Sequence, residues 1–182
     1  MQSLNIGLSS WIIQDGNYED FSVGDTRQFA LDFYSKKRLR KIRDASLRMS
    51  NATAETYDIC AQVKFVDGDV WVLDCGVQVF REEHPPARVS VGEYVEGRIS
   101  VGIDPFFYKE NLHRLPGMPK IAYCVEVGAI SIETTPRVRV FGVTQRRGKR
   151  TFRAIARTDA LKDDDSHAHY ILHCNLIPGD PP

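Results

Sequence analysis

The sequence has few cysteines, no long apolar run and no excess of either charge. Its 182 residues contain 24 Lys+Arg, 24 Asp+Glu and 4 cysteines. Cys60, Cys75, Cys124 and Cys174 lie far apart, without the spacing of a zinc ribbon or a disulfide framework. Balanced charge excludes a uniformly basic coat protein, and no apolar run reaches the roughly 18 residues of a membrane helix. We therefore expect a cytoplasmic protein with reduced thiols and no membrane partner.

The common catalytic and cofactor motifs are also missing. The sequence contains no G-x-S-x-G nucleophile elbow, no G-x-x-x-x-G-K-[ST] phosphate loop and no G-x-G-x-x-G turn. An enzyme can be built without such motifs, because catalytic groups meet in space. The absences nevertheless favour a binding module without a cofactor over an enzyme.

Most of the chain alternates between apolar and polar residues, as strands do. Asp67-Gly68-Asp69 separates two β-branched runs, so residues 57–66 and 70–81 are predicted to form an antiparallel hairpin. Further strands are expected at 6–14, 27–34, 95–103 and 120–133, and a second hairpin at 137–145 with 151–157. Prolines bracket residues 104–119, which leaves room for one or two helical turns at most.

The order of these elements predicts a mainly β fold. Over residues 55–145 it resembles the antiparallel OB-like Greek-key barrel, and a β-sandwich explains the same strands. We expect a single domain over residues 1–182, with an N-terminal strand pair and helix (residues 1–50) packed on a barrel or sandwich of residues 55–176. The helix is predicted over residues 36–49, where Leu39, Ile42, Ala45 and Met49 recur at helical spacing.

A short pattern occurs twice. Ser22-Val23-Gly24-Asp25 follows a Trp-Ile-Ile-Gln-Asp-Gly segment, and Ser90-Val91-Gly92-Glu93 follows a Trp-Val-Leu-Asp-Cys-Gly segment. Each copy leads into an alternating strand. Shared turn chemistry explains the repeat more simply than duplication, because glycine recurs wherever strands reverse.

Charge is strongly segregated along the chain. Residues 36–48 carry seven bases and one acid, and residues 137–157 carry eight bases and no acid. If folding brings these two basic islands together, they form a site for nucleic acid or an acidic protein, with nearby aromatic residues stacking on bases. The alternative is two solvated faces. The candidate binding residues are Lys36, Lys37, Arg40, Lys41 and Arg43 in the helix and Arg146, Arg147, Lys149, Arg150 and Arg153 in the hairpin.

A histidine cluster lies near the C-terminus. In a strand, His167, His169 and His173 fall on one face, where imidazoles can ligate zinc. Partly exposed strand histidines explain the pattern better than metal ligation does, and metal ligation is kept as an alternative.

Three functions follow from these features. The leading hypothesis is a non-enzymatic module that binds an anionic partner through the basic helix and hairpin. The alternatives are a protein–protein interaction component, such as an inhibitor or a homo-oligomeric assembly subunit, and a metal-dependent hydrolase that uses the histidines.

Overall fold

Strands make up most of the fold. The computed structural model describes residues 2–43, 45–86, 89–140, 143–146, 148–163 and 167–178. The strands are β1 (Ser3–Ser9), β2 (Thr26–Tyr34), β3 (Arg40–Ile42), β4 (Arg48–Thr53), β5 (Thr56–Asp67), β6 (Val70–Asp74), β7 (Gln78–Glu82), β8 (Tyr94–Ile103), β9 (Ala122–Glu133), β10 (Arg137–Val140), β11 (Val143–Arg146), β12 (Phe152–Ile155) and β13 (His169–Leu176). Helices α1 (Ser10–Gln14) and α2 (Phe107–Glu110) and a 3-10 turn (Leu112–Arg114) are short. Within the described ranges, no helix is long and apolar enough to span a membrane.

Eight strands close into a barrel in the order β1, β13, β9, β2, β7, β6, β5 and β8, and β8 returns to β1. The predicted mainly β class and barrel are confirmed. The antiparallel OB-like Greek key is not, because β1 runs parallel to β8 and β2 runs parallel to β7. These two parallel pairs make the barrel mixed, and its closed ring replaces the β-sandwich alternative.

The repeated Ser-Val-Gly-acid turns occupy equivalent places in this barrel. Gly24 N–H donates to the Val127 carbonyl of β9 just before β2 begins, and Gly92 N–H donates to the Val63 carbonyl of β5 just before β8 begins. Val127 and Val63 return the equivalent backbone bonds to Asp25 and Glu93. Strands β2 and β8 also pair with each other antiparallel. The equivalence thus extends past the turns to their partner strands, as duplication of a strand-turn-strand unit predicts.

The barrel strands bury one face and expose the other. In β1, Leu4, Ile6 and Leu8 belong to the interior core, and β2 and β8 contribute alternate residues to the same core. Because side chains alternate along a strand, Gly7 in β1, Asp32 in β2 and Gly102 in β8 lie on the outer face. That outer face is where the cleft described below is found.

The two N-terminal strands are part of the barrel wall. The whole of β1 pairs with β13, and β2 pairs with β7, β8 and β9. The expectation that they would pack onto a separate barrel of residues 55–176 is therefore wrong. Strands at that position satisfy backbone hydrogen bonds on both edges, which packing on an outer surface would leave unpaired.

The proline-bracketed segment 104–119 covers part of the outside of the barrel. Asp104 accepts hydrogen bonds from the backbone N–H groups of Phe107 and Tyr108, which starts α2. Tyr108 and Leu112 are buried against a second apolar cluster that includes Phe80. The predicted one or two helical turns are confirmed, and they leave Phe107 44% exposed.

The basic helix predicted over residues 36–49 is wrong. Residues 40–42 form β3, which pairs antiparallel with β8, and β4 pairs with β5. The helical spacing gave a stripe with only one fully buried member, Leu39. Strand pairing instead places Arg40 and Lys41 beside Glu96 and Glu93, with which they form ion pairs. Tertiary pairing therefore overrides the local helical pattern.

The second predicted hairpin has different partners. Strand β10 pairs with β11 in a separate two-stranded sheet, and β12 pairs with residues 130–133 of β9. The prediction placed the reversal at residues 146–149, whereas the paired strands end and begin at Val140 and Val143. Strand β12 instead pairs with the end of β9 and extends the large sheet by one strand.

Candidate functional site

A cleft of about 1350 Å³ lies on the outer face of the barrel. Its floor consists of outward residues of β1, β2, β5 and β8, and its walls are α1, β4, the basic segment that leads into β3, and Arg150. We refer to it as the outer cleft. Its aromatic lining residues, Trp11 and Tyr34, are 47% and 50% exposed. It therefore combines open aromatic surface with polar and charged walls.

The basic segment forms one wall of the outer cleft. Lys36, Lys37 and Arg38 are exposed along it, and Leu39 beside them is buried. Leu39 packs on Gly97 of β8, where an added Cβ would lie 2.7 Å from Leu39 Cδ2. The missing side chain at Gly97 thus lets one apolar residue anchor a run of cations at the edge of the cleft.

Several cations of the cleft form no ion pair with a carboxylate of the described residues. Arg98 is paired with Asp58 by two hydrogen bonds of 2.8 Å, and Arg40 is paired with Glu96. In contrast, no carboxylate of the described residues lies within 4.0 Å of four cations. These four lining residues are Lys36, Lys37, Arg38 and Arg48. The wall therefore carries positive charge that the fold does not neutralise by direct pairing.

A charged cluster closes one end of the outer cleft. Arg150 Nη1 donates to both carboxylate oxygens of Glu55 at 2.8 and 2.9 Å, and its Nε and Nη2 donate to Glu133 at 3.2 and 3.1 Å. His169 Nε2 lies 3.3 Å from Glu55 Oε1. Burial acts to raise the pKa of Glu55, but the bonds from His169 and Arg150 outweigh it and lower that pKa to about 2. Arg150 is thus a structural cation whose charge is already matched.

Asp32 lies on the floor and carries the opposite pKa shift. Burial and then the negative charge of Asp104 raise the pKa of Asp32 to about 7, against the opposing effects of Arg81 and the Gly102 N–H. Burial also raises the pKa of Asp104 to about 6. Near neutral pH, Asp32 therefore exists in both protonation states within the lining of the cleft.

Replacing Asp32 by asparagine is expected to stabilise the protein above neutral pH. The pKa of Asp32 in the folded state, about 7, exceeds the ordinary 3.8, so the folded state binds the carboxyl proton more tightly than the unfolded state does. Protonation of Asp32 therefore stabilises the folded state at low pH, and this contribution is lost as pH rises through 7. Asparagine cannot ionise, so Asp32→Asn should gain about 1–2 kcal/mol in free energy of unfolding at pH 8 relative to pH 5, with a discount for partial hydration. Urea denaturation at both pH values measures the difference; an equal effect at both would contradict the assignment.

The two predicted basic islands meet at the outer cleft only in part. Lys36, Lys37 and Arg40 line it together with Arg150 from the second island. Lys41, Arg43, Lys149 and Arg153 are exposed elsewhere. Arg146 ends β11, and Arg147 lies outside the described residues.

The predicted histidine cluster separates. His169 lines the outer cleft, and His167 is exposed before β13 begins. The ring nitrogens of His173 contact other residues: Nδ1 lies 2.8 Å from Asn5 Oδ1, and Nε2 lies 3.2 Å from Ser131 Oγ. In the part of the chain that the structure describes, no group of three or more His, Cys, Asp or Glu side chains is placed to hold a metal ion.

Trp11, Tyr34 and Asp32 are cleft residues that the sequence analysis missed. A signal existed for Asp32, because it interrupts the apolar run Phe29-Ala30-Leu31-Asp32-Phe33 at an outward position. Trp11 follows β1 and Tyr34 is the last residue of β2, and an aromatic residue at such positions normally predicts burial.

Comparisons with known proteins add no relative to this description. No family model matches the chain, and searches of curated proteins and of solved structures found no match. The candidate function therefore rests on the outer cleft itself.

Proposed function

We propose that the protein binds single-stranded nucleic acid in the outer cleft. One observation carries the proposal: cations without a carboxylate partner and two exposed aromatic side chains line the same cleft. A cationic groove that follows the phosphates, with aromatic residues that stack on the bases, is the usual arrangement of single-strand binding proteins.

The cations supply the attraction for phosphate. Lys36, Lys37 and Arg38 follow one another along one wall, and Arg48 of β4 lines the same cleft. A bound strand would release the counterions condensed on the phosphates that these residues contact, so binding should weaken as salt concentration rises. Because the cations belong to two walls, the basic segment and β4, they would hold the backbone and leave the bases free to reach the aromatic residues.

The aromatic residues supply the stacking surfaces. Trp11 of α1 and Tyr34 at the end of β2 each leave about half of their surface open. The Arg81 guanidinium lies 5.0 Å from the Tyr34 ring centroid and helps to fix that ring. Stacking on such rings tolerates any base, so we expect little sequence preference.

The size of the cleft favours an extended ligand. Pockets for small molecules usually enclose roughly 300–1,000 Å³. The outer cleft, at about 1350 Å³, is larger. An acidic protein segment would satisfy the same cations but would not need exposed aromatic rings, so aromatic substitution separates the two partners.

Replacing either aromatic residue is therefore expected to weaken binding of a fluorescein-labelled single-stranded oligonucleotide about tenfold, because a stacked base contributes about 1–3 kcal/mol. Fluorescence anisotropy at low salt compares Trp11→Ala and Tyr34→Ala with Phe107→Ala. Phe107 is 44% exposed but does not line the outer cleft, so its substitution should leave affinity unchanged. Absence of binding by the original protein, or equal losses in all three variants, would refute the proposed function.

The cations of the predicted basic hairpin contribute less to the proposed binding than the basic segment does. Lys149 and Arg153 do not line the outer cleft, so they would add attraction only for a strand that extends beyond it, while Arg146 and Arg147 stay predicted binding residues. Their contribution, the cytoplasmic location and a homo-oligomeric state stay predictions.

A further inference from the structure

Two paired glycines leave the floor of the outer cleft bare at one point. Gly7 of β1 and Gly102 of β8 are parallel partners, and both line the cleft. A Cβ on Gly7 would lie 3.3 Å from His169 Cε1, and a Cβ on Gly102 would lie 2.6 Å from Asp32 Oδ1. The imidazole and the carboxyl therefore border the same bare patch. Because paired strands are about 4.8 Å apart, these two groups lie within about 11 Å of each other.

His169 borders this patch and contacts a carboxylate through one ring nitrogen. Its Nε2 lies 3.3 Å from Glu55 Oε1, which is a carboxylate held by Arg150. A carboxylate accepts a hydrogen bond, so Nε2 is the ring nitrogen that donates in this contact, and the neutral ring can take up a proton only on Nδ1. The side chain is 16% exposed, which leaves it accessible from the cleft.

Asp32 is the complementary proton donor. Its carboxyl lies over Gly102 and accepts that residue's N–H, and burial, followed by the negative charge of Asp104, disfavours its ionisation. Arg81 opposes that effect without abolishing it. Groups that keep a proton near neutral pH are the ones that serve as general acids.

We infer that the outer cleft cleaves RNA by acid–base catalysis, with His169 as the general base and Asp32 as the general acid; this inference rests on the proposed function. His169 Nδ1 takes the proton of a ribose 2′-hydroxyl, and the 2′-oxygen forms a bond to the neighbouring phosphorus. The bond from phosphorus to the 5′-oxygen breaks, and Asp32 gives its proton to that leaving oxygen. The products are a 2′,3′-cyclic phosphate and a 5′-hydroxyl, and the substrate supplies its own nucleophile.

The position of the cations suits this step. Phosphoryl transfer builds negative charge on the phosphate oxygens, and nearby cations stabilise it. The wall with Lys36, Lys37 and Arg38 lies along the same cleft as the paired glycines. DNA has no 2′-hydroxyl, so the cleft should bind a DNA strand without cutting it.

The test compares an RNA oligonucleotide with the same sequence in DNA. We expect the protein to bind both by anisotropy, and to convert only the RNA into fragments that end in a 2′,3′-cyclic phosphate, identified by mass spectrometry. His169→Gln and Asp32→Asn should each slow cleavage by about 10²- to 10⁴-fold while still binding the DNA. His167→Gln is the matched control, because His167 is exposed and does not line the cleft, so its cleavage rate should not change.

The outcomes separate the two proposals. Binding of both strands without RNA cleavage overturns the catalytic inference and leaves the binding function in place. Failure to bind either strand overturns both. Cleavage that survives unchanged in both His169→Gln and Asp32→Asn also overturns the inference, because it would come from other residues or a contaminating nuclease. Asp32→Asn is expected to fold at least as well as the original protein, so it keeps the test valid if His169→Gln is unstable.

Discussion

Replacing Arg150 by methionine should cost about 3–5 kcal/mol of free energy of unfolding at pH 7. Arg150 forms hydrogen bonds with two carboxylates, and the side chains of Glu133 and Glu55 are only 1% and 10% exposed. Methionine keeps much of the side-chain volume but leaves both carboxylates without their shared guanidinium, and breaking a buried pair from one side is strongly destabilising. Urea denaturation measures the loss, and the melting temperature should fall by roughly 6–20 °C in a chain of this size.

The control for this prediction is the same substitution at an exposed arginine. Arg153 is exposed on β12, so Arg153→Met should change stability by less than about 0.5 kcal/mol. Adding Glu133→Gln to Arg150→Met should recover part of the loss, because one of the two carboxylates is then neutral. A loss below about 1 kcal/mol for Arg150→Met, or no recovery in the double variant, would show that the cluster does not hold this end of the cleft together.

Reversing two charges of the basic segment is expected to weaken single-strand binding by at least about 100-fold. Lys36 and Lys37 are exposed and have no carboxylate within 4.0 Å in the described structure, so their charge is available to phosphate. Each lost charge-assisted contact removes about 1.5–3 kcal/mol, and every 1.4 kcal/mol corresponds to a factor of ten in affinity. Lys36→Glu with Lys37→Glu should therefore show this loss in an anisotropy titration at about 0.1 M salt.

A second pair of reversals has the same net charge change. Arg114 and Lys120 are exposed and lie outside the outer cleft, so Arg114→Glu with Lys120→Glu should weaken binding less than about threefold. Equal losses from the two pairs would mean that net charge alone drives the interaction. A third pair, Lys149→Glu with Arg153→Glu, measures the hairpin's share, which we expect to be smaller than that of the basic segment.

The strands were predictable where local chemistry decides the structure. Asp67-Gly68-Asp69 joins β5 to β6 as the hairpin signal indicated, and the alternation of residues 95–103 matches β8. The parallel pairing of Gly7 with Gly102 was not predictable, because nothing local in β1 or β8 specifies a partner almost a hundred residues away. The helical spacing from Leu39 to Met49 predicted the wrong element for a related reason. Leu39 is buried against Gly97, which is distant in the sequence and adjacent in the fold.

The candidate site was predictable mainly through its charge, and His169 was predicted only as a metal ligand. Lys36, Lys37 and Arg150 were predicted as binding residues, and all three line the outer cleft. The charge pattern predicted that Arg150 binds phosphate, whereas the fold gives it two carboxylates, Glu55 from the turn between β4 and β5 and Glu133 from the end of β9. Local composition identifies where cations are concentrated. It does not show which of them the fold neutralises.

The salt dependence of single-strand binding is the most direct test of the outer cleft as an anion site. If the four cleft cations without carboxylate partners each contact a phosphate, log K against log salt concentration should fall with a slope of about −2.8, given about −0.7 for each contact on a single strand. Lys36→Glu with Lys37→Glu should make that slope about 1.4 less steep, and Arg114→Glu with Lys120→Glu should leave it unchanged. A slope near zero, or one that the Lys36 and Lys37 reversals do not alter, would contradict the account.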